Sequence, residues 1–172
     1  MPELPETETI ARDLDRAISG DTILDVRVTR KDVLRETTPA RLRDRVVGAS
    51  VTRTWRRAKL IVIDLSSGDR VVVQPRFTGA LLIDAGHLAE DERRYSTVEF
   101  ILDSSRSLHY RDIRRLGTVA LMDERRFAEY SGFSLLPLAR ELDNVLIIRS
   151  FESWSRLPEL TCAWGRGLAA AG

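Results

Sequence analysis

Short β-type runs between residues 24 and 121 limit most strongly what this chain can fold into. Leu24-Asp25-Val26-Arg27-Val28-Thr29 alternates apolar and polar residues at period two, the pattern of a strand with one wet face. Further strands are predicted at Ser50–Trp55, Lys59–Leu65, Arg70–Gln74, Ala80–Ile83, Thr97–Leu102, Ser107–Tyr110 and Thr118–Leu121. Short turns separate several of them, and Ser66-Ser67-Gly68-Asp69 has the residues of a hairpin turn. Many short strands at regular spacing predict a mainly β sandwich or barrel rather than a parallel α/β sheet.

Helices punctuate this pattern. Pro5 suits a first helical turn, Glu6 and Glu8 complement the positive end of the helix dipole, and Gly20 suits a stop. Ile10, Leu14, Ala17 and Ile18 recur between them at helical spacing, predicting an amphipathic helix over 5–19. Thr38-Pro39-Ala40 starts a short helix ending near Gly48, and Asp123–Tyr130 begins as a capped helix that stops at Gly132. From about Ser134 the pattern changes: Trp154, Trp164 and the closing Gly-Leu-Ala-Ala-Ala-Gly fit neither period. The expected division is a domain over 1–133 and an atypical tail over 134–172, with an ordinary C-terminal helix pair as the alternative for the tail.

The sequence has 27 Lys and Arg against 26 Asp and Glu, but they are unevenly placed. Arg41, Arg43, Arg45, Arg53, Arg56, Arg57 and Lys59 have only Asp44 among them, and Arg106, Arg111, Arg114 and Arg115 have only Asp112. Such segregation can create a phosphate-collecting face; scattered arginines on a solvated surface are the blander account. No apolar run approaches the roughly 18 residues of a membrane span. The acidic start Met1-Pro2-Glu3-Leu4-Pro5-Glu6 does not read as an export signal, so the cytoplasm is the expected compartment, with nucleoid association if the source is bacterial. The single cysteine, Cys162, with His87 and His109, supplies no four-thiolate zinc site. No metal or other cofactor is expected.

Proline in second position raises a chemical question. Removal of Met1 would leave a secondary amine, and α-amino groups titrate near 7.7 to 8.0 in model compounds, roughly where neutral solution leaves a reactive fraction. Such an amine attacking an aldehyde-level carbon gives an iminium ion, an electron sink for elimination at the adjacent carbon. Glu3 and Glu6 flank it and could donate or accept protons, although helix-capping acids would explain both.

The combination of motifs is more specific. Pro2-Glu3-Leu4-Pro5-Glu6-Thr7-Glu8-Thr9-Ile10 closely resembles the N-terminus of the formamidopyrimidine-DNA glycosylase and endonuclease VIII family of base-excision repair enzymes. Arg56-Arg57-Ala58-Lys59 before Leu60-Ile61-Val62-Ile63 resembles the family's lysine-bearing hairpin. Phe77-Thr78-Gly79 is similar to its Met-Ser/Thr-Gly loop, and Tyr110-Arg111-Asp112-Ile113-Arg114-Arg115-Leu116-Gly117 to its Asp-Pro-Arg-Arg-Phe-Gly loop. The resemblance spans residues 2 to about 130.

It implies a two-layer antiparallel β-sandwich with the N-terminal helix packed along it and one or two short helices. It also implies a bifunctional DNA glycosylase and AP lyase acting, as a monomer, on oxidised bases of the formamidopyrimidine and 8-oxoguanine type and on abasic sites in damaged double-stranded DNA. Pro2 would be the Schiff-base nucleophile, Glu3 the general acid, Glu6 an assisting carboxylate and Lys59 a phosphate-binding catalytic group. Phe77, Arg114 and Leu116 would fill the hole left by an everted base, with Arg56, Arg57, Arg111 and Arg115 as further DNA contacts. Phe77 stands where the family usually has methionine, Leu116 where it has phenylalanine, and Gln74-Pro75-Arg76 replaces His-x-Gly. Sandwich core at a strand end is the structural alternative for Phe77 and Leu116. The family's helix-two-turn-helix module and zinc finger are not recognised after Gly132; truncation, frameshift and fragment remain open, as does a DNA-binding remnant without turnover.

Overall fold

The computed structural model describes the backbone of residues 4–133 and the side chains of residues 7–131. Pro2, Glu3, the Glu6 side chain and the expected tail over 134–172 therefore lie outside the described residues. The chain divides into two units, Met1–Tyr130 and Ser131–Gly172, and the first holds the fold considered below.

In chain order the elements are α1 (Leu4–Ile18), β1 (Ile23–Val28), a 3-10 turn (Lys31–Val33), β2 (Leu34–Arg35), α2 (Pro39–Val46), β3 (Val51–Arg57) and β4 (Leu60–Leu65). They continue with β5 (Asp69–Gln74), β6 (Gly79–Asp84), α3 (Glu90–Arg94), β7 (Ser96–Leu102), β8 (Ser107–Asp112), β9 (Thr118–Asp123) and α4 (Glu124–Phe133). The strands form a four-stranded sheet, order β1-β7-β8-β6, and a five-stranded sheet, order β2-β9-β5-β4-β3. The pairs are antiparallel except β2 with β9, where Leu34 and Arg35 run parallel to Val119 and Ala120. The expected mainly β sandwich with an N-terminal helix is present. Three elements were not predicted: the three-residue 3-10 turn and the two-residue β2 are too short for a period, and α3, EDERR, has no buried residue to generate one.

Facing side chains build the core. Val26, Leu81, Phe100, Leu102, Leu108 and Tyr110 of one sheet meet Val51, Ile61, Ile63, Leu65, Val71, Val73, Val119 and Leu121 of the other. Leu42 and Val46 of α2 join the same cluster. The alternate residues Leu60, Val62, Val72, Ala120 and Met122 point outward yet are also buried, because Phe127 of α4, Trp55 and Tyr130 cover them. Burial on both faces explains why Leu60-Ile61-Val62-Ile63 is a continuous apolar run rather than an alternating one. Trp55 and Phe127 meet edge to face with ring centroids 5.7 Å apart, and the Arg70 guanidinium lies 5.1 Å from the Phe127 ring.

Of the predicted stripe, α1 buries Leu14 and Ile18 fully and Ile10 and Ala17 partly, and it buries Ala11 as well. Polar contacts set its direction along β3. The Asp15 carboxylate accepts the Thr54 N–H at 2.6 Å, and beyond the helix the Gly20 N–H donates to the Val51 carbonyl at 2.8 Å. Gly20 adopts φ 92, which glycine takes without a Cβ clash.

Phe100 is almost fully buried between the sheets. Phe100→Ala is expected to lower stability by about 3–5 kcal/mol, read as a lower urea midpoint at unchanged slope.

Candidate nucleic-acid interface

Three connections gather at one end of the sandwich. The β3–β4 hairpin pairs Arg57 with Leu60, leaving Ala58 and Lys59 at its tip, with Ala58 in left-handed backbone at φ 51. Ile61 pairs with Val73 and Gln74 with Thr118, so the hairpin tip, the β5–β6 loop over 75–78 and the β8–β9 loop over 113–117 share this end. Gly79 pairs with Asp112, placing the two loops side by side.

α1 begins at the same end. Glu8, in its second turn, accepts the Arg56 Nε–H at 2.8 Å and the Arg12 Nε–H at 2.8 Å. The Arg56 hydrogen bond leads the effects holding the Glu8 carboxyl below its usual pKa. Arg56 also donates to the Ala58 carbonyl at 3.1 Å, bracing the hairpin tip against the helix. Lys59 is exposed. Arg57 is half-buried, and its buried Nε has no hydrogen-bond partner.

Asp112, only 2% exposed, joins the two loops. Its Oδ1 accepts the Thr78 hydroxyl at 2.6 Å and the Arg114 N–H at 3.2 Å; its Oδ2 accepts the Gly117 N–H at 2.7 Å and the Tyr110 hydroxyl at 3.3 Å. Thr78 Oγ1 also accepts the Arg114 N–H at 3.1 Å. Burial alone would raise the Asp112 carboxyl's pKa, but these donors, led by Thr78 and Gly117, hold it below the ordinary aspartate value. Burial, then the neighbouring Asp112 charge, pushes the Tyr110 phenol up.

The loops close tightly around this knot. A Cβ on Gly117 would collide with the Tyr110 hydroxyl and lie 2.6 Å from the Gln74 carbonyl oxygen, while one on Gly79 would lie 2.9 Å from Pro75 Cα. These glycines are needed for close approach. Their apolar neighbours face outward: Phe77 is 55% exposed and Leu116 46%, so neither is sandwich core. Two apolar tips thus stand at one end, held by a buried charge network and flanked by the hairpin.

Spatial pairing redistributes the charge clusters seen in sequence. Arg43 pairs with Asp25, Arg45 with Asp69, Arg106 with Asp21 and Arg111 with Glu92, all through contacts of 2.6 to 3.1 Å. Arg115 reaches Asp32 at 3.3 Å. Of the predicted site residues, Arg56 and Arg111 act here as braces, whereas Arg57, Lys59 and Arg114 have no ion pair among the described residues. Arg76, not singled out from sequence, is exposed beside Phe77 and also forms no ion pair among the described residues. The joint role of Asp112, Thr78 and Tyr110 also escaped sequence reading; the Thr78-Gly79 and Leu116-Gly117 pairs were its available signal. No three His, Cys, Asp or Glu side chains converge on a metal-sized site among the described residues, and no described helix is long and apolar enough to cross a membrane.

Comparison with known proteins decides the relationship. The formamidopyrimidine-DNA glycosylase N-terminal domain matches residues 1–119. This chain belongs to that family. A formamidopyrimidine-DNA glycosylase of Methylobacterium sp. (strain 4-46) is 34% identical over 169 residues, covering 88% of this chain and 56% of the relative. That of Desulforamulus reducens is 32% identical over 133 residues, covering 77% and 47%. The chain therefore spans about half the length of these curated relatives. The fold matches that of Lactococcus lactis Fpg solved with abasic-site DNA, with a TM-score of 0.68 and 23% identity, over 74% of this chain and 46% of that one. The Lactococcus lactis Fpg complex with FAPY-dG DNA matches equally, with a TM-score of 0.68 over 74% and 47%.

Replacing Asp112 by Asn leaves one oxygen where four donors converge, and Asp112→Asn is expected to cost about 1–3 kcal/mol at pH 7. Because the folded carboxyl titrates below the unfolded value of about 3.9, its stabilisation is complete above that pH and is lost as pH falls through the folded pKa. Urea unfolding from pH 7 to pH 3 should show the variant's deficit shrinking at the acidic end. Gly117→Ala is expected to destabilise at every pH.

Proposed function

We propose that this domain carries the chemistry of a DNA glycosylase and AP lyase acting on abasic sites and oxidised bases of the formamidopyrimidine and 8-oxoguanine type in double-stranded DNA. The observation carrying this reading is the convergence of the start of α1, the Lys59 hairpin tip and the Phe77 and Leu116 loops at one end of the sandwich. Pro2 precedes the first described helical residue, Leu4, by two positions in the sequence. One structural neighbour, Lactococcus lactis Fpg, crystallised both with abasic-site DNA and with FAPY-dG DNA, supports the same substrate class.

In this reading the Pro2 nitrogen attacks C1′ of an everted nucleoside while Glu3 protonates the sugar ring oxygen, and the glycosidic bond breaks with departure of the base. Ring opening leaves an iminium ion joining Pro2 to C1′. Loss of a C2′ proton then expels the 3′ phosphate, and a second elimination expels the 5′ phosphate. Glu6 assists proton movement, and Lys59 holds a phosphate beside the lesion. Phe77 and Leu116 occupy the vacated stack, repaying part of the few kcal/mol that base eversion costs, and Arg114 hydrogen-bonds the partner base. Because the chain spans about half the length of its relatives, a second reading is a DNA-binding remnant without turnover.

Borohydride reduction in the presence of abasic-site duplex is expected to give a covalent adduct, which peptide mass mapping places on Pro2. Binding without any Pro2 adduct would favour the remnant, and an adduct confined to a lysine would overturn the assigned nucleophile. A combined Phe77→Ala/Leu116→Ala variant is expected to lose preference for abasic over intact duplex while keeping its salt dependence. Lys59→Ala is expected to lower the slope of log affinity against log salt by about one unit in titrations on either duplex.

A further inference from the structure

Beside the 113–117 loop lies a recess of about 310 Å³ whose lining includes Arg30, Arg94, Tyr95, Asp112, Ile113 and Arg115. Tyr95 and Ile113 are unusually open for apolar side chains, at 40% and 48% exposure. Arg115 is linked to Asp32, but Arg30 and Arg94 form no ion pair among the described residues. Their isolation is notable because Arg93, next to Arg94, pairs with Asp84 at 2.7 Å, and Arg27, three residues before Arg30, pairs with Glu99 at 3.6 Å. The Asp112 oxygens are committed to the loop donors described above. The recess therefore presents two unneutralised guanidinium groups beside an aromatic ring, a combination suited to a nucleotide phosphate and its sugar or base.

The recess is lined mainly by the end of α3, the start of β7 and the end of β8 in the four-stranded sheet, and it reaches the β2 edge of the other sheet through Arg30 and through Arg115, which pairs with Asp32 of the 3-10 turn. In the sheet order β2-β9-β5-β4-β3, the hairpin joins the last two strands, whereas Arg30 precedes the 3-10 turn that leads into β2 at the other edge. The Phe77 and Leu116 loops leave β5 and enter β9 between them. Three to four strand spacings separate the two edges, roughly 14–19 Å at about 4.8 Å each. That distance can straddle a duplex groove of about 6 to 12 Å.

We infer that Arg30, Arg94 and Tyr95 form a second phosphate grip for the strand facing the lesion, so that the two cation groups clamp opposite strands while the loop tips enter between them. This inference rests on the DNA-repair reading and adds the strand that each group holds. Arg30 and Arg94 bind backbone phosphates, and Tyr95 covers the adjoining sugar or base. A grip on each side resists tilting of the duplex as the loop tips enter the stack.

The test is binding of the 172-residue chain to abasic-site duplexes with single methylphosphonates walked along either strand. In wild type, neutralising one or two phosphates of the facing strand is expected to weaken binding about tenfold. In an Arg30→Ala/Arg94→Ala variant, those substitutions should cause no further loss, and the salt slope should fall by about two units. The lesion-strand walk should couple instead to Lys59→Ala. Tyr95→Ala should weaken duplex binding, and Tyr95→Phe should restore it. An unchanged urea midpoint excludes misfolding as the cause. Full binding by the arginine variant, or coupling of that variant to the lesion strand, overturns this inference alone. Failure of wild type to bind any duplex at low salt overturns the DNA reading and the clamp with it.

Discussion

The candidate interface depends on one buried carboxylate. Asp112 ends β8, and through four donors it fixes both its own loop and the loop that carries Phe77. A buried charge is tolerated only when its hydrogen-bonding capacity is met, and here the groups that meet it are those that shape the loops. Thr78, Tyr110 and Gly117 consequently act as one unit, with glycines where any side chain would separate the strands from the knot. The apolar tips can remain exposed because their backbone is anchored beneath them.

Around that knot the sandwich separates structural from available charge. Most of the arginines that look concentrated in sequence are neutralised by carboxylates distant along the chain, such as Arg45 by Asp69 and Arg106 by Asp21. Those remaining near the loops, Arg57, Lys59, Arg76 and Arg114, with Arg30 and Arg94 across from them, occupy turns, strand ends and, for Arg94, the end of α3 rather than flat sheet faces. In the proposed DNA complex, phosphates would meet charges that require no prior ion-pair breakage. The outer layer contributes rigidity: Phe127 of α4 and Trp55 cover the back of the strands that carry the hairpin.

The strands were largely legible because one buried face imposes a period of two, as over residues 98–102 of β7, and two buried faces impose a continuous apolar run, as in β4. In β1 a register shift between Ile23 and Asp25 leaves Leu24 55% exposed and buries Ile23 and Val26 instead, against the alternation its sequence shows. The stripe of α1 was legible for the corresponding helical reason. The two-residue β2 and solvent-facing α3 were not, since neither has enough burial to leave a pattern. In the candidate site, the Lys59 hairpin and the two glycine-bearing loops could be marked from sequence. That Arg56 and Arg111 serve as braces could not, because their partners Glu8 and Glu92 lie 48 and 19 positions away.

The order of apolar and turn residues by itself determined that this chain makes a mainly β sandwich or barrel with a leading amphipathic helix, because burial periodicity is local to each segment. It also carried the family's motifs in order. Only the tertiary structure decided which charges cancel, that Asp112 ties two loops 34 positions apart at Thr78, and that Arg30 and Arg94 face a recess across the loop tips from Lys59. Those outcomes depend on which strand ends meet, and strand pairing brings together residues whose separation along the chain leaves no periodic trace.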